Sequence, residues 1–394
     1  MLFVPSPAED TTMRFIAIFL FTVHASLAQP IRGVVFHDKN NNGIRDKGEE
    51  GIENVAVTDQ VQVVRTNTDG VYEIPSGKGY GFVALSLPDG YRTQTWWQRV
   101  ATSNDFAITK GTPKTSFSFI HASDTHISEK SIDRLEKLRA LVSLHKPDFV
   151  LVSGDLIKDA LRVSEKEATG YYELYQKEIG KFNVPVWSVP GNHEIFGIER
   201  HLSLVSKAHP LYGKKMYRHY LGPNYFSFNA GGYHFVGLDN VDFEDLWYFG
   251  RVDSTQVKWL KEDLSNVPAN VPVITFGHMP FYSGGLSMTS FTEEGPARTL
   301  ERETGELQFR HIVSNADEVI DLVSTHPFPI ALSGHYHARQ VFWYETSKQK
   351  IRFEQTGAVV EGSQYGDEIL PSGVTLYTIV NGKIDEGKFL PLDK

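Results

Sequence analysis

Five short polar clusters each close an apolar run: Asp124-Thr125-His126, Gly154-Asp155, Gly191-Asn192-His193-Glu194, Gly277-His278 and Gly334-His335-Tyr336-His337. Carboxylates, imidazoles and an amide are the donors that hold zinc, manganese or iron. In extended chain, residues two apart point to the same side, so Asp124 and His126 can face one cation. His335 and His337 also share a side, and about 6.6 Å between their Cα atoms lets them reach different cations. Two cations roughly 3.5–4 Å apart are best bridged by one carboxylate, and Asp155 stands at the tip that suits it. Gly154, Gly191, Gly277 and Gly334 permit sharp exits and close backbone approach. Any one tip alone is ordinary loop chemistry. All five in order point to a two-metal site, because acids and imidazoles are costly to crowd together without a cation among them. Such a pair lowers the pKa of a bound water from 15.7 towards about 7 and offsets developing negative charge. His193, beside Asn192 but not needed as a ligand, could stabilise an oxyanion or protonate a leaving group, help worth roughly 10²–10⁴ in rate.

The elements that must position these tips alternate. From Thr115 the pattern gives strands over Phe117–Ala122, Phe149–Val152, Val184–Val189, Tyr233–Leu238, Val271–Phe276 and Pro329–Leu332. Helical spacing recurs at Ile132, Leu135, Leu138, Leu141 and Val142, and again over 165–179, 254–264 and 315–323. Val341–Tyr344, Ile351–Phe353 and Val374–Ile379 read as antiparallel strands finishing the same sheet system, and 283–311 as a loop or cap. Strand–helix alternation argues for an α/β domain over 115–394 whose ligands gather beyond the carboxyl ends of the strands. Residues 31–110 carry short β runs between Gly, Asn and Asp turns, which predicts a small sandwich. Lys110-Gly111-Thr112-Pro113 punctuates the two parts.

The ordered tips resemble those of the calcineurin-like metallophosphoesterases, over roughly residues 115–394. The resemblance implies two packed mixed sheets flanked by helices, a four-layer α/β-β/α sandwich. It also implies one metal held by Asp124, His126, Asp155 and His337 and a second by Asp155, Asn192, His278 and His335. In that family a hydroxide bridges the metals, and the histidine after the Asn, here His193, helps the reaction. Purple acid phosphatases carry a Tyr three residues after the bridging Asp, where this chain has Lys158; protein Ser/Thr phosphatases show Asp-Arg-Gly, replaced here by Lys158-Asp159-Ala160. Asp159 is then a candidate to orient His193. Tyr282, Tyr336, Lys158, Arg298 and Arg310 are candidate substrate contacts, and Trp96-Trp97 is either core or an exposed platform.

The segment Asp38–Glu49 fits the calcium-loop pattern D-x-[DN]-x-[DN]-G-x₅-E, with oxygens from Asp38, Asn40, Asn42, the Ile44 carbonyl, Asp46 and Glu49. Its flanks read as strands rather than helices, and with Thr68-Asp69-Gly70-Val71-Tyr72 it resembles SdrD B-like surface repeats and the N-terminal domain of some exported phosphoesterases.

Composition narrows the function. The formal charge is −9, which disfavours general nucleic-acid binding and leaves metal ions to attract a phosphorylated substrate. With no Cys, disulfides, thiolate zinc sites and cysteine nucleophiles are excluded. The apolar run Phe15–Val23, followed by Ala25-Ser26-Leu27-Ala28, reads as a signal peptide over residues 1–28, with translation from Met13 leaving Arg14 as its positive end. No other stretch approaches a membrane span, so a secreted or periplasmic protein is expected. The reading is an exported mono- or diesterase acting on a small phosphorylated substrate with two Mn, Fe or Zn ions, and with the Asp38–Glu49 loop as a candidate structural Ca site. Its rival is a calcium-stiffened surface binding module with an inactive phosphoesterase domain.

Overall fold

The computed structural model describes residues 29–75, 77–284, 299–365 and 368–393. The expected export signal, Arg298 and half of the 283–311 segment lie outside those residues.

From Ser116 onward the chain builds two six-stranded sheets. The first runs in the order Val186–Val189, Phe149–Ser153, Ser116–Ala122, Gly373–Val380, Lys383–Ile384, with Lys388–Pro391 also paired to Gly373–Val380. The second runs Phe226–Ala230, Tyr233–Leu238, Val273–Gly277, Ile330–Ser333, Lys350–Gln355, Gln340–Glu345. Phe149–Ser153, Val273–Gly277 and Ile330–Ser333 are buried at every position, as expected of central parallel strands covered on both faces. In the first sheet Ser116–Ala122, Phe149–Ser153 and Val186–Val189 pair in parallel, and in the second Val273–Gly277 and Ile330–Ser333 do so. Their carboxyl ends therefore finish on one rim.

Between the sheets lies an aromatic core. Phe119 stacks on Phe149 at 5.4 Å, Phe228 on Phe235 at 5.0 Å, and Trp187 on Phe228 at 4.2 Å. Each such buried ring contributes about 1.5–3 kcal/mol from area alone, so this layer dominates the attachment of sheet to sheet. Helices Ile132–His145 and Glu165–Ile179 cover the first sheet through Leu135, Leu138, Tyr172 and Tyr175; Ser254–Ser265 and Ala316–Val323 cover the second through Trp259, Leu260, Val319 and Val323. The expected four layers are present.

Among the elements absent from the sequence reading are the strand Phe226–Ala230, the hairpin Val241–Glu244 with Trp247–Gly250, the helix Lys215–Leu221 and the closing strand Lys388–Pro391. The tail also differs from its reading. Lys350–Gln355 pairs parallel to Ile330–Ser333, whereas Gly373–Val380 crosses to the other sheet and pairs antiparallel to Ser116–Ala122. Period-two alternation encodes which side of a strand is buried but not which partner it meets or in which direction.

Residues 31–110 form two four-stranded sheets around Val35, Val57, Val83, Phe106 and Ile108. This unit docks on the second layer. Trp96 inserts against Trp187 at 5.2 Å and Phe226 at 4.6 Å, and Trp97 packs edge-on to Phe82 at 5.4 Å, so both rings are packing and not a platform. Polar pins accompany them: Trp259 Nε1 donates to Thr58 Oγ1 (3.1 Å), Gln60 Nε2 to the Tyr225 carbonyl (2.9 Å), and the amides of Gly231 and Gly232 to Asp89 (2.9 and 2.8 Å).

Candidate metal centre

The strand tips turn through unusual backbone. Asp124, His126, Asp155, His335 and His337 adopt φ of 54°, 37°, 48°, 74° and 52°, the left-handed region that costs a non-glycine residue roughly 1–3 kcal/mol. Asp and His tolerate it better than most, and the surrounding sheets hold it in place. The turns swing side chains that would alternate along a strand onto one rim. Gly154, at φ +85°, packs so closely under His278 that an added Cβ would sit 2.6 Å from the His278 Cβ. At Gly334 the added atom would lie 1.8 Å from Ser123 Oγ and 2.5 Å from Asp124 Oδ2.

All seven expected ligands meet there. Asp155 Oδ2 is 3.6 Å from His126 Nε2 on one side and 3.2 Å from His278 Nε2 on the other. On the first side His337 Nε2 lies 3.3 Å from Asp124 Oδ1 and 3.3 Å from His126 Nε2. On the second, His278 Nε2 lies 3.1 Å from both Asn192 Oδ1 and His335 Nδ1. Two clusters result, Asp124–His126–His337 and Asp155–His278–His335, whose ligand atoms lie within 4.8 Å of one another; a third grouping, His126–Asp155–His193, overlaps both.

These contacts are the ones a cation would resolve. His278 Nδ1 donates to the Ser153 carbonyl at 2.9 Å, which leaves its Nε2 lone pair among three further acceptors. Asp124 Oδ1 is buried without a hydrogen bond of acceptable geometry. Without metal, protons take up the strain. Burial opposes charge on His278, but Asp155 prevails and pushes its pKa up to about 9. His337 is raised too, Asp124 overcoming its burial. Asp155 is held well below the carboxylate range, His278 and His193 overriding its burial. Burial drives His126 down to about 4 and holds His335 well below the ordinary imidazole value. The donor set fits a pair of cations.

His193 sits beside this pair. Its Nδ1 is 2.6 Å from the Lys158 carbonyl and 3.9 Å from Asp159 Oδ1, so a backbone oxygen, not the expected carboxylate, orients the ring. Its Nε2 is 3.9 Å from Asp155 Oδ2, and its amide donates to Asp155 Oδ1 at 2.9 Å. Both groups border a cavity of about 670 Å³ that also reaches Lys130, Arg134, Lys158, Tyr248 and Glu361. Lys158 thus lines the cavity. Tyr282 does not. Beyond His278 the chain leaves the rim and is pinned where Gln340 accepts from the Gly284 amide (3.0 Å), so Tyr282 packs on Phe353 at 4.9 Å. Tyr336 lies edge-on to His335 at 5.3 Å and is outside the cavity wall. The Arg310 guanidinium is committed to Trp247 and Tyr248, 4.9 and 5.1 Å from their rings.

Three further residues support the site. His311 Nδ1 lies 2.9 Å from His335 Nε2 and braces that ligand from the segment read as a patternless cap. Glu194 accepts from the amides of Leu156, Ile157 and Gly191 (2.8, 3.0 and 2.6 Å), stapling two tips together. Burial and Asp155 push its pKa up to about 8, against the pull of those amides. Tyr248 comes from the hairpin that sequence periodicity did not reveal. Glu194 stood within a quoted motif; nothing local marks the other two.

Away from the rim, the Asp38–Glu49 loop closes on itself. Asp38 accepts from the amides of Asn42 and Gly43 (3.2 and 2.7 Å), and Asn40 and Asn42 each accept two residues on. Asp46 accepts from both Asn amides, Glu49 from the amides of Lys39 and Asp46, and Ile44 is exposed. Among the described residues its carboxylates do not cluster as tightly as those at the rim.

A rim of imidazoles and carboxylates between two back-to-back mixed sheets, set for two cations, defines a dinuclear metallohydrolase architecture. Residues 117–339, more than half of the 394-residue chain, match the calcineurin-like phosphoesterase family, and 39–119 match the N-terminal domain of calcineurin-like phosphoesterases. The chain belongs to the calcineurin-like phosphoesterase family. It is similar to purple acid phosphatase 15 of Arabidopsis thaliana, 25% identical over an alignment of 236 residues that covers 53% of this chain and 38% of that protein. The chain therefore spans little more than a third of that relative. Similar solved structures include a dimetal phosphatase from Danio rerio (14% identity, TM-score 0.46, 71% of this chain and 97% of that one). Another is GAP50, described as the anchor in the inner membrane complex of Plasmodium (15% identity, TM-score 0.43, 71% and 86%). No helix among the described residues is long and apolar enough to cross a membrane.

Proposed function

We propose that this chain is an exported phosphoric ester hydrolase working with two cations at the sheet rim. The observation that carries the reading is the convergence of acceptors on both sides of Asp155 Oδ2. Asp124, His126, Asp155 and His337 hold one ion; Asp155, Asn192, His278 and His335 hold the other. Nitrogen and oxygen donors without a thiolate suit Mn, Fe or Zn. When bound, the pair supplies a nucleophile from water at neutral pH and offsets phosphate charge.

The chain's own side chains do the rest. His193, its Nδ1 held by the Lys158 carbonyl, moves a proton to the leaving oxygen or steadies an oxyanion. Lys158, exposed at the cavity lip, attracts the anionic substrate. A cavity of about 670 Å³ suits a small ester such as a nucleotide, sugar phosphate or lipid head group. Export rests on the apolar run Phe15–Val23 with its small-residue end.

The test loads purified protein with Mn, Zn or Fe, counts ions per chain, and compares p-nitrophenyl phosphate with bis-p-nitrophenyl phosphate. Two ions and turnover of either ester are expected, and Asp155→Ala removes both ions and the activity. Two bound ions with no hydrolysis of either ester would defeat the reading.

A further inference from the structure

We propose that Tyr248 is a substrate-contacting residue of this site, its hydroxyl donating a hydrogen bond to a non-bridging oxygen of the bound phosphate. The inference rests on the phosphoester reading and extends it to a residue outside every motif. Tyr248 lies on the strand Trp247–Gly250, paired antiparallel to Val241–Glu244 with Phe243 opposite it. This hairpin starts just past the Tyr233–Leu238 strand of the second sheet. Its side chain borders the cavity together with Asp155, Asn192, His193 and His335.

The ring is held from behind. The Arg310 guanidinium lies 5.1 Å from its centre and the His311 ring 6.0 Å away, edge-on. His311 in turn is bonded to His335 at 2.9 Å. The backbone fixes the same relation: Gly250 bridges to Val313, and the Ser314 amide donates to the Gly250 carbonyl at 2.8 Å. A half-buried phenol so fixed gains nothing from its hydroxyl unless something meets it. Among the described residues that hydroxyl has no hydrogen-bond partner. Burial, opposed by Arg310, keeps the phenol above its ordinary range and hence a donor. A neutral donor beside a cation pair binds a phosphate oxygen without adding charge.

Tyr248→Phe tests this, because it removes the hydroxyl and keeps the ring. Metal-loaded parent and variant are compared by metal content, by calorimetric titration with inorganic phosphate, and by kcat/KM for p-nitrophenyl phosphate. The variant should keep two ions, bind phosphate roughly ten- to a hundredfold more weakly, and lose kcat/KM by a similar factor, as for a hydrogen bond to a charged group. Phosphate affinity and kcat/KM within about twofold of the parent overturn the proposal. So does loss of an ion, which would make the hydroxyl part of the support for the metal side chains instead. A parent inactive on every ester defeats the phosphoester reading instead, before the variant is reached.

Discussion

His193 touches the Lys158 carbonyl through one ring nitrogen and faces the Asp155 carboxylate with the other. It is close enough to the rim to count as a third ligand grouping with His126 and Asp155, so ligand and proton carrier are alternatives that one variant separates. His193→Ala should retain two ions and lose roughly 10²–10⁴ in kcat; loss of metal together with turnover would make His193 a ligand. A second expectation concerns His278. With its pKa pushed up to about 9 by Asp155 against burial, it is protonated at neutral pH in the metal-free chain. An incoming ion must displace that proton, so metal affinity should climb about tenfold per pH unit below pH 9 and flatten above it. The protonated ring's contribution to metal-free stability is full below 6.5 and fades as pH rises through about 9. Chelator competition between pH 6 and 9 measures the slope, and an affinity independent of pH contradicts the assignment.

At the scale of elements, the strand ends do the positioning. Their tips are tied crosswise: the Asp124 amide donates to the Gly154 carbonyl (3.0 Å), that of Gly334 to the His278 carbonyl (2.9 Å) and that of His335 to Asp124 Oδ2 (3.1 Å). The closest of these approaches is at Gly334, where Ser123 cannot yield because its hydroxyl donates to the Ser153 carbonyl at 2.9 Å. Gly334→Ala should therefore push Asp124 off the rim. A stability loss of about 1–3 kcal/mol and a fall below two ions per chain are expected, read by denaturant unfolding and elemental analysis. Retention of both ions would mean the tips move as one unit. The strands carrying these tips were legible because each is an apolar run closed by a polar tip, which in four of the five opens with glycine. The Trp247–Gly250 hairpin was not, since its short mixed runs match no period.

For the whole molecule, the N-terminal sandwich is more than an appendage. Trp96 enters the aromatic layer that joins the two main sheets, and Thr58, Gln60 and Asp89 bond across the boundary. Trp96→Ala should cost about 2–3 kcal/mol and split one unfolding transition into two, while the metal count stays at two. A single transition at an unchanged midpoint would show that the ring carries none of the docking.

The seven side chains that meet at the rim, the main strands around them and the flanking helices were written in local order, because burial periodicity and polar-tipped strand ends are properties of consecutive residues. Tertiary structure alone decided the rest. It chose the Lys158 carbonyl over Asp159 to orient His193, carried Tyr282 away from the cavity, brought His311 and Tyr248 to the rim, and divided the tail strands between two sheets. Each of those outcomes depends on which distant segment packs beside which, a relation between surfaces that no short stretch of chain contains.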